Sequence, residues 1–137
     1  MNSNSTNQAA AKHELTQYFD ELTRSNGNIR LVGICTEDGF DIQSKTDRFH
    51  SMDAAKLAAI ASSISSLSNS TAQQLNREGF NIVIIETNHG NILFMRARYL
   101  GEPCVISMAT SNSSSLAQDR FELKRVFKKV QSITAPI

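Results

Sequence analysis

Residues 80–110 read "FNIVIIETNHGNILFMRARYLGEPCVISMAT", and this stretch restricts the fold more than any other. Three strand-like runs are joined by "NHGN" and "LGEP", turns too short for anything but antiparallel neighbours. The first run is apolar on both alternations, with Phe80, Ile82 and Ile84 on one side and Val83 and Ile85 on the other. A strand of that kind belongs to a sheet covered on both faces. Helices are therefore required above and below it, and the rest of the chain supplies three.

From Ala9 to Arg24, Leu15, Tyr18, Phe19 and Leu22 recur at helical spacing, and "SNGN" ends the segment. "IRLVGIC" and "GFDIQS" follow as two strands joined through Asp38-Gly39, a hairpin signal because glycine accepts positive φ. Ser51 or Asp53 caps a long second helix that runs to about Asn76. Its larger apolar residues, Leu57, Ile60, Ile64, Leu67 and Leu75, form a stripe with Thr71 that predicts the core face. A last helix over about 114–132 carries Leu116, Leu123, Val126, Phe127 and Val130. The order is helix, two strands, helix, three strands, helix. It forms a single domain over 9–133, between a polar, disordered tail at 1–8 and a short C-terminal tail at 134–137.

Composition excludes several functions. The 137 residues carry a net charge of +1, which gives no push toward nucleic acid. No apolar run is long enough for membrane insertion, and the start lacks the order of a secretory signal. Cys35 and Cys104 each sit in an apolar run and read as free thiols in a reducing cytoplasm rather than as a disulfide. His13, His50 and His89 fall on three elements with no metal-ligand spacing, and His89 reads as a turn residue. There is no phosphate-binding loop and no nucleophile elbow. Glu37 and Asp38 are explained by their turn. Lys124, Arg125, Lys128 and Lys129 read as a solvated helix face. Arg96 and Arg98 alternate onto the face of Phe94, where acids of the sheet or of a partner could meet them. No catalytic, metal or cofactor constellation emerges, so the chain reads as a non-enzyme.

Three stretches carry a family resemblance. "LVGICTEDGFDIQS" is similar to the first hairpin of the roadblock family, and "DAAKLAAIASSISSLSNSTAQQL" resembles its long Ala- and Ser-rich second helix. "GNILFMRARYLGEPCVISMAT" is similar to its last strand pair, and together the likeness covers roughly residues 9–132. The third helix departs from the family by beginning polar, at "TSNSSS". The resemblance implies an α+β domain whose five-stranded antiparallel sheet has the order 2-1-5-4-3. The second helix would cover one face, and the first and last helices the other. It also implies a cytoplasmic homo- or heterodimer that binds a Ras-like small GTPase as activator or scaffold, or serves as a light chain on a motor complex. A PAS- or profilin-like ligand-sensing module is the alternative, with Met95, Cys104 and Met108 as lining.

In that topology strand 3 is a sheet edge without Pro, Lys or any charge before Glu86, an edge that invites pairing. Residues 57–76 contain no charge at all. Both features point to a homodimer, and the resemblance implies that strand 3 pairs in it with its copy, through Ile82 and Ile84. The second helices would then meet through Ala58, Ala61, Ser62, Ser65, Ser68, Asn69 and Ala72. Such a seam would bury about 1,200–2,000 Å². Arg77, just past the helix, is the candidate contact to the GTPase.

Overall fold

The structure, a computed structural model, describes residues 3–47 and 51–133. The C-terminal tail expected at 134–137 and His50 lie outside the described residues. The elements are α1 (Ser3–Ser25), β1 (Ile29–Thr36), β2 (Asp41–Thr46), α2 (Ala54–Asn76), β3 (Ile82–Thr87), β4 (Gly90–Tyr99), β5 (Glu102–Thr110) and α3 (Leu116–Ser132). They form an antiparallel sheet in the order β2-β1-β5-β4-β3, as the resemblance implied. Helix α1 begins at Ser3, where the sequence suggested a disordered tail. Once a helix is nucleated, each further turn needs only tolerable propensity, which Asn, Ser and Thr retain.

The tight turns take the conformations that their residues permit. Gly39 sits at φ +96°, and its N–H donates to Thr36 O at 3.1 Å to close the first hairpin. Between β4 and β5, Leu100 and Gly101 both have positive φ. Leucine is an unusual occupant of that region. It stays because its side chain packs on the main core and its N–H donates to Ile133 O at 3.2 Å. Gly90 opens β4 at φ +140°, where a Cβ would lie 1.8 Å from Thr110 O. Backbone there approaches backbone, so no side chain fits.

The sheet separates two cores. Beneath it, Leu15, Phe19 and Leu22 of α1 and Leu123, Val126 and Val130 of α3 pack on Val32, Ile34, Leu93, Ile106 and Met108. Above it, Ala58 and Ala61 of α2 pack on Cys35, Phe94 and Val105. Cys35 and Cys104 lie on adjacent strands but on opposite faces of the sheet, so each remains a free thiol.

Helix α2 corrects the expectation for its core face. Leu57 is buried, but the other buried residues are Ala58, Ala61 and Ser65. Ile60, Leu67 and Leu75 are 40%, 70% and 77% exposed, and Ile64 is only half-buried. The small-residue and large-residue stripes are separated by about 100° around the helix at 3.6 residues per turn. The sheet supplies the bulk, through Phe94 and Val105. Only small side chains on the facing helix let it settle at packing distance. The large stripe is thereby turned aside.

Candidate interaction surface

Asp53 starts α2 as its N-cap, its carboxylate accepting from the N–H groups of Ala55 at 3.0 Å and Lys56 at 3.2 Å. From there the helix crosses β1, β2, β4 and β5, with β3 beyond its main footprint. On the α2 side of the sheet, β3 and β4 present Val83, Ile85, Ile92 and Phe94, because Val83 pairs with Phe94 and Ile85 with Ile92. Phe94 is covered by the helix, whereas Val83 and Ile92 are half-buried and Ile85 is exposed. Ile64 packs on the same cluster as Val83 and Ile92. Ile64, Val83 and Ile92 thus form one half-buried apolar group across helix and sheet, and Ile60, Leu67 and Ile85 on the same two elements are exposed.

Two further features border it. Among the described residues strand β3 pairs only with β4, which leaves its outer edge open. The last turns of α2 have little beneath them: Ser70, Thr71 and residues 73–76 are all exposed. A large apolar stripe, a bare strand edge and an overhanging helix coincide on one side of the molecule. Isolated exposed apolar residues need no explanation, but a contiguous group marks a surface that something covers.

The residues expected at a dimer seam are placed unevenly. Ala58, Ala61 and Ser65 are buried against the subunit's own sheet and have no surface to offer a second chain. Ser62 is half-buried and donates to Glu37 O at 2.7 Å. Asn69, also half-buried, accepts from Arg96 Nη1 at 3.0 Å. Ser68 and Ala72 are half-buried, and Ile82 and Ile84 pack against the core under α1 and α3 rather than outward. Arg77 is exposed and ends α2 in the left-handed conformation, φ 58° and ψ 28°, with its N–H donating to Gln73 O.

The arginines of β4 are partly resolved as well. Arg96 pairs with Glu37 at 2.8 Å, which ties the first hairpin to α2 through Asn69 and Ser62. Arg98 donates to Gly101 O at 2.9 Å. Among the described residues no group of three His, Cys, Asp or Glu side chains is placed to hold a metal. Cys104 and Met108 are packed in the core, and Met95 is half-buried against it. No helix among the described residues is long and apolar enough to cross a membrane.

Asp119 is the residue that the sequence reading passed over. It is 2% exposed, and its carboxylate accepts from Asn91 Nδ2 at 2.9 Å, Thr110 Oγ1 at 2.8 Å and Ser114 Oγ at 2.6 Å. These bonds tie α3 to β4 and β5, and a capping box between Ser115 and Gln118 fixes the start of the helix. The polar "TSNSSS" segment is thus a bonded joint rather than a loose lead-in. A signal was present: Asp119 falls between Leu116 and Leu123 on the apolar stripe, where a carboxylate must be buried and bonded.

Three helices around a sheet of this strand order define a roadblock-type fold. The Roadblock/LC7 domain model matches residues 15–99, more than half of the chain, and the chain belongs to that family. No curated protein sequence matches it. Among solved structures, the gliding protein MglB from Thermus thermophilus superposes with a TM-score of 0.75 at 15% identity, over 90% of each chain. An MglB with a tetrameric arrangement gives 0.76 at 16% identity, again over 90% of each chain. A Roadblock/LC7 domain from Streptomyces avermitilis gives 0.68 at 17% identity, over 83% of this chain and 92% of that one.

Proposed function

We propose that the chain is a non-enzymatic homodimeric regulator or scaffold of a Ras-like small GTPase. The observation that carries the reading is the joined apolar surface of α2 and β3 beside an unpaired strand edge. A second copy related by a two-fold axis would cover both at once, pairing β3 with β3 and placing one α2 beside the other. The seam then runs through Ile60, Ile64, Leu67 and Ile85, in place of the small residues that the helix uses on its own sheet. Support for self-association also comes from the structurally similar MglB described in a tetrameric arrangement. The outward residues Ala59, Ser63, Ser66 and Ser70 are exposed and uncharged, and they would form the platform that meets the GTPase.

Two experiments test the two halves. Light scattering on a size-exclusion peak should give twice the 15.1 kDa chain mass, and Leu67→Glu should halve it. A monomeric parent protein would remove the dimer. Pull-down with Ras-like GTPases in both nucleotide states should show preference for one state, and indifference to all of them would remove the GTPase. Arg77 permits a clean probe, because glycine is the natural occupant of its backbone conformation. Arg77→Gly should fold as well as the parent. If its guanidinium acts at the nucleotide, stimulated hydrolysis should fall by about 10³-fold, the scale of a lost arginine finger.

A further inference from the structure

Helix α3 turns Leu123, Val126 and Val130 to the core and Arg120, Lys124 and Lys128 to the opposite side. Their four-residue steps make a row about 12 Å long at 1.5 Å per residue. Phe121 stands beside this row and is 63% exposed. Among the described residues none of the three cations forms an ion pair or a side-chain hydrogen bond. Elsewhere Arg24, Lys45, Arg96, Arg125 and Lys129 each meet a carboxylate, at 2.8–3.2 Å. The acids of α3 do not neutralise the row either. Asp119 is engaged with Asn91, Thr110 and Ser114, and Glu122 with Arg125.

We propose that this face is a docking surface for an anionic lipid bilayer. Charge complementarity selects an anionic partner, and shape selects a planar one. The row lies on a convex helix face with an aromatic ring at its edge, so that three long side chains and one ring can reach a plane together. An acidic peptide would seek a groove. Of two clefts beside α3, one of about 410 Å³ is lined by Asp119 and Glu122, and another, of about 320 Å³, by Glu21, Glu122 and Arg125, whose guanidinium is already paired with Glu122. Carboxylates there oppose such a ligand. Helices α1 and α3 lie on the sheet face opposite α2, so a docked subunit keeps its α2 surface free. The inference stands apart from the proposed GTPase.

Each lysine or arginine near an anionic surface contributes about fivefold to partitioning, so the row is worth about a hundredfold. That contribution falls as salt shortens the screening length. Sedimentation of the full chain with vesicles of phosphatidylcholine, with and without about one-third phosphatidylserine, tests it. Binding should require phosphatidylserine and weaken as salt is raised. Replacing the row, Arg120→Gln with Lys124→Gln and Lys128→Gln, should lower partitioning about a hundredfold and leave the circular dichroism spectrum and Tm unchanged. Phe121→Ser should lower it several-fold without altering the salt dependence, while Lys56→Gln on α2 should change nothing. Equal partitioning into both kinds of vesicle, or a folded triple variant that binds like the parent, would overturn the proposal. So would binding to a poly-glutamate peptide but not to vesicles, which would assign the face to an acidic protein.

Discussion

Single residues hold this domain together where the elements join. Asp119 is the clearest case, with one buried carboxylate accepting from β4, β5 and the loop before α3. Asp119→Ala would strand the Asn91 and Thr110 donors in the interior, and unfolding by urea should show a loss of about 2–4 kcal/mol. Asp119→Asn keeps the shape and one acceptor and should lose less. If the alanine variant matches the parent midpoint, the network is dispensable. The two thiols give a second residue-level outcome. Burial raises Cys104 to about 12, with Cys35 adding to it. Burial raises Cys35 to about 11, with the Asp41 carboxylate adding to it. Both exceed the ordinary 9.0, so the folded state holds the thiol proton more tightly than the unfolded chain does. The stability they contribute is complete below about pH 9 and is lost progressively as pH rises toward 11–12. Denaturation midpoints measured across that window should fall, and they should fall less in a Cys35→Ala, Cys104→Ala double variant.

At the level of elements, α2 shows what a hydrophobic pattern can and cannot specify. A stripe of Leu57, Ile60, Ile64, Leu67 and Leu75 identifies a helix correctly, because its spacing is a property of the chain alone. Which stripe meets the sheet depends on the volume that the sheet presents, and that is set by Phe94 and Val105, far away in sequence. The strands were readable for the opposite reason: turn chemistry at Asp38-Gly39 and at Leu100-Gly101 is local, and alternation needs no partner to be seen. Their order came only through the family likeness, since pairing between β1 and β5 joins residues some 70 positions apart. Within the candidate surface the long helix and the open strand edge are legible in the sequence as elements, but the burial of Ala58, Ala61 and Ser65 against the sheet is not. The correction makes a paired prediction. Ala61→Leu overfills the contact between α2 and the sheet and should cost about 1–3 kcal/mol in the single chain. Leu67→Gln removes an exposed leucine and should leave a monomeric background nearly unchanged, within about 0.5 kcal/mol. Thermal denaturation of both, in a chain that also carries Ile85→Lys to exclude the proposed dimer, separates the faces. Equal losses would mean that Leu67 serves the subunit's own core.

For the whole molecule, the proposed dimer would make stability a matter of concentration. In that dimer a subunit whose α2 overhangs its sheet, and whose β3 edge is open, would complete its packing when a second copy arrives. Such association would favour the folded state by mass action, so the apparent Tm should rise with protein concentration. With a seam of about 1,200–2,000 Å², dissociation falls anywhere from micromolar to picomolar, since area does not set affinity. Dilution across that range by calorimetry or fluorescence should therefore lower Tm steadily in the parent protein. In Leu67→Glu the carboxylate sits where two apolar stripes would meet and cannot be desolvated there. Its Tm should be lower at high concentration, independent of dilution, and equal to the value that the parent approaches when dilute. A parent Tm that stays flat over the full range, in a protein that light scattering finds monomeric, would show that the α2 and β3 surface awaits a different protein. The same measurement repeated with a candidate GTPase present would then register its arrival as a rise in Tm.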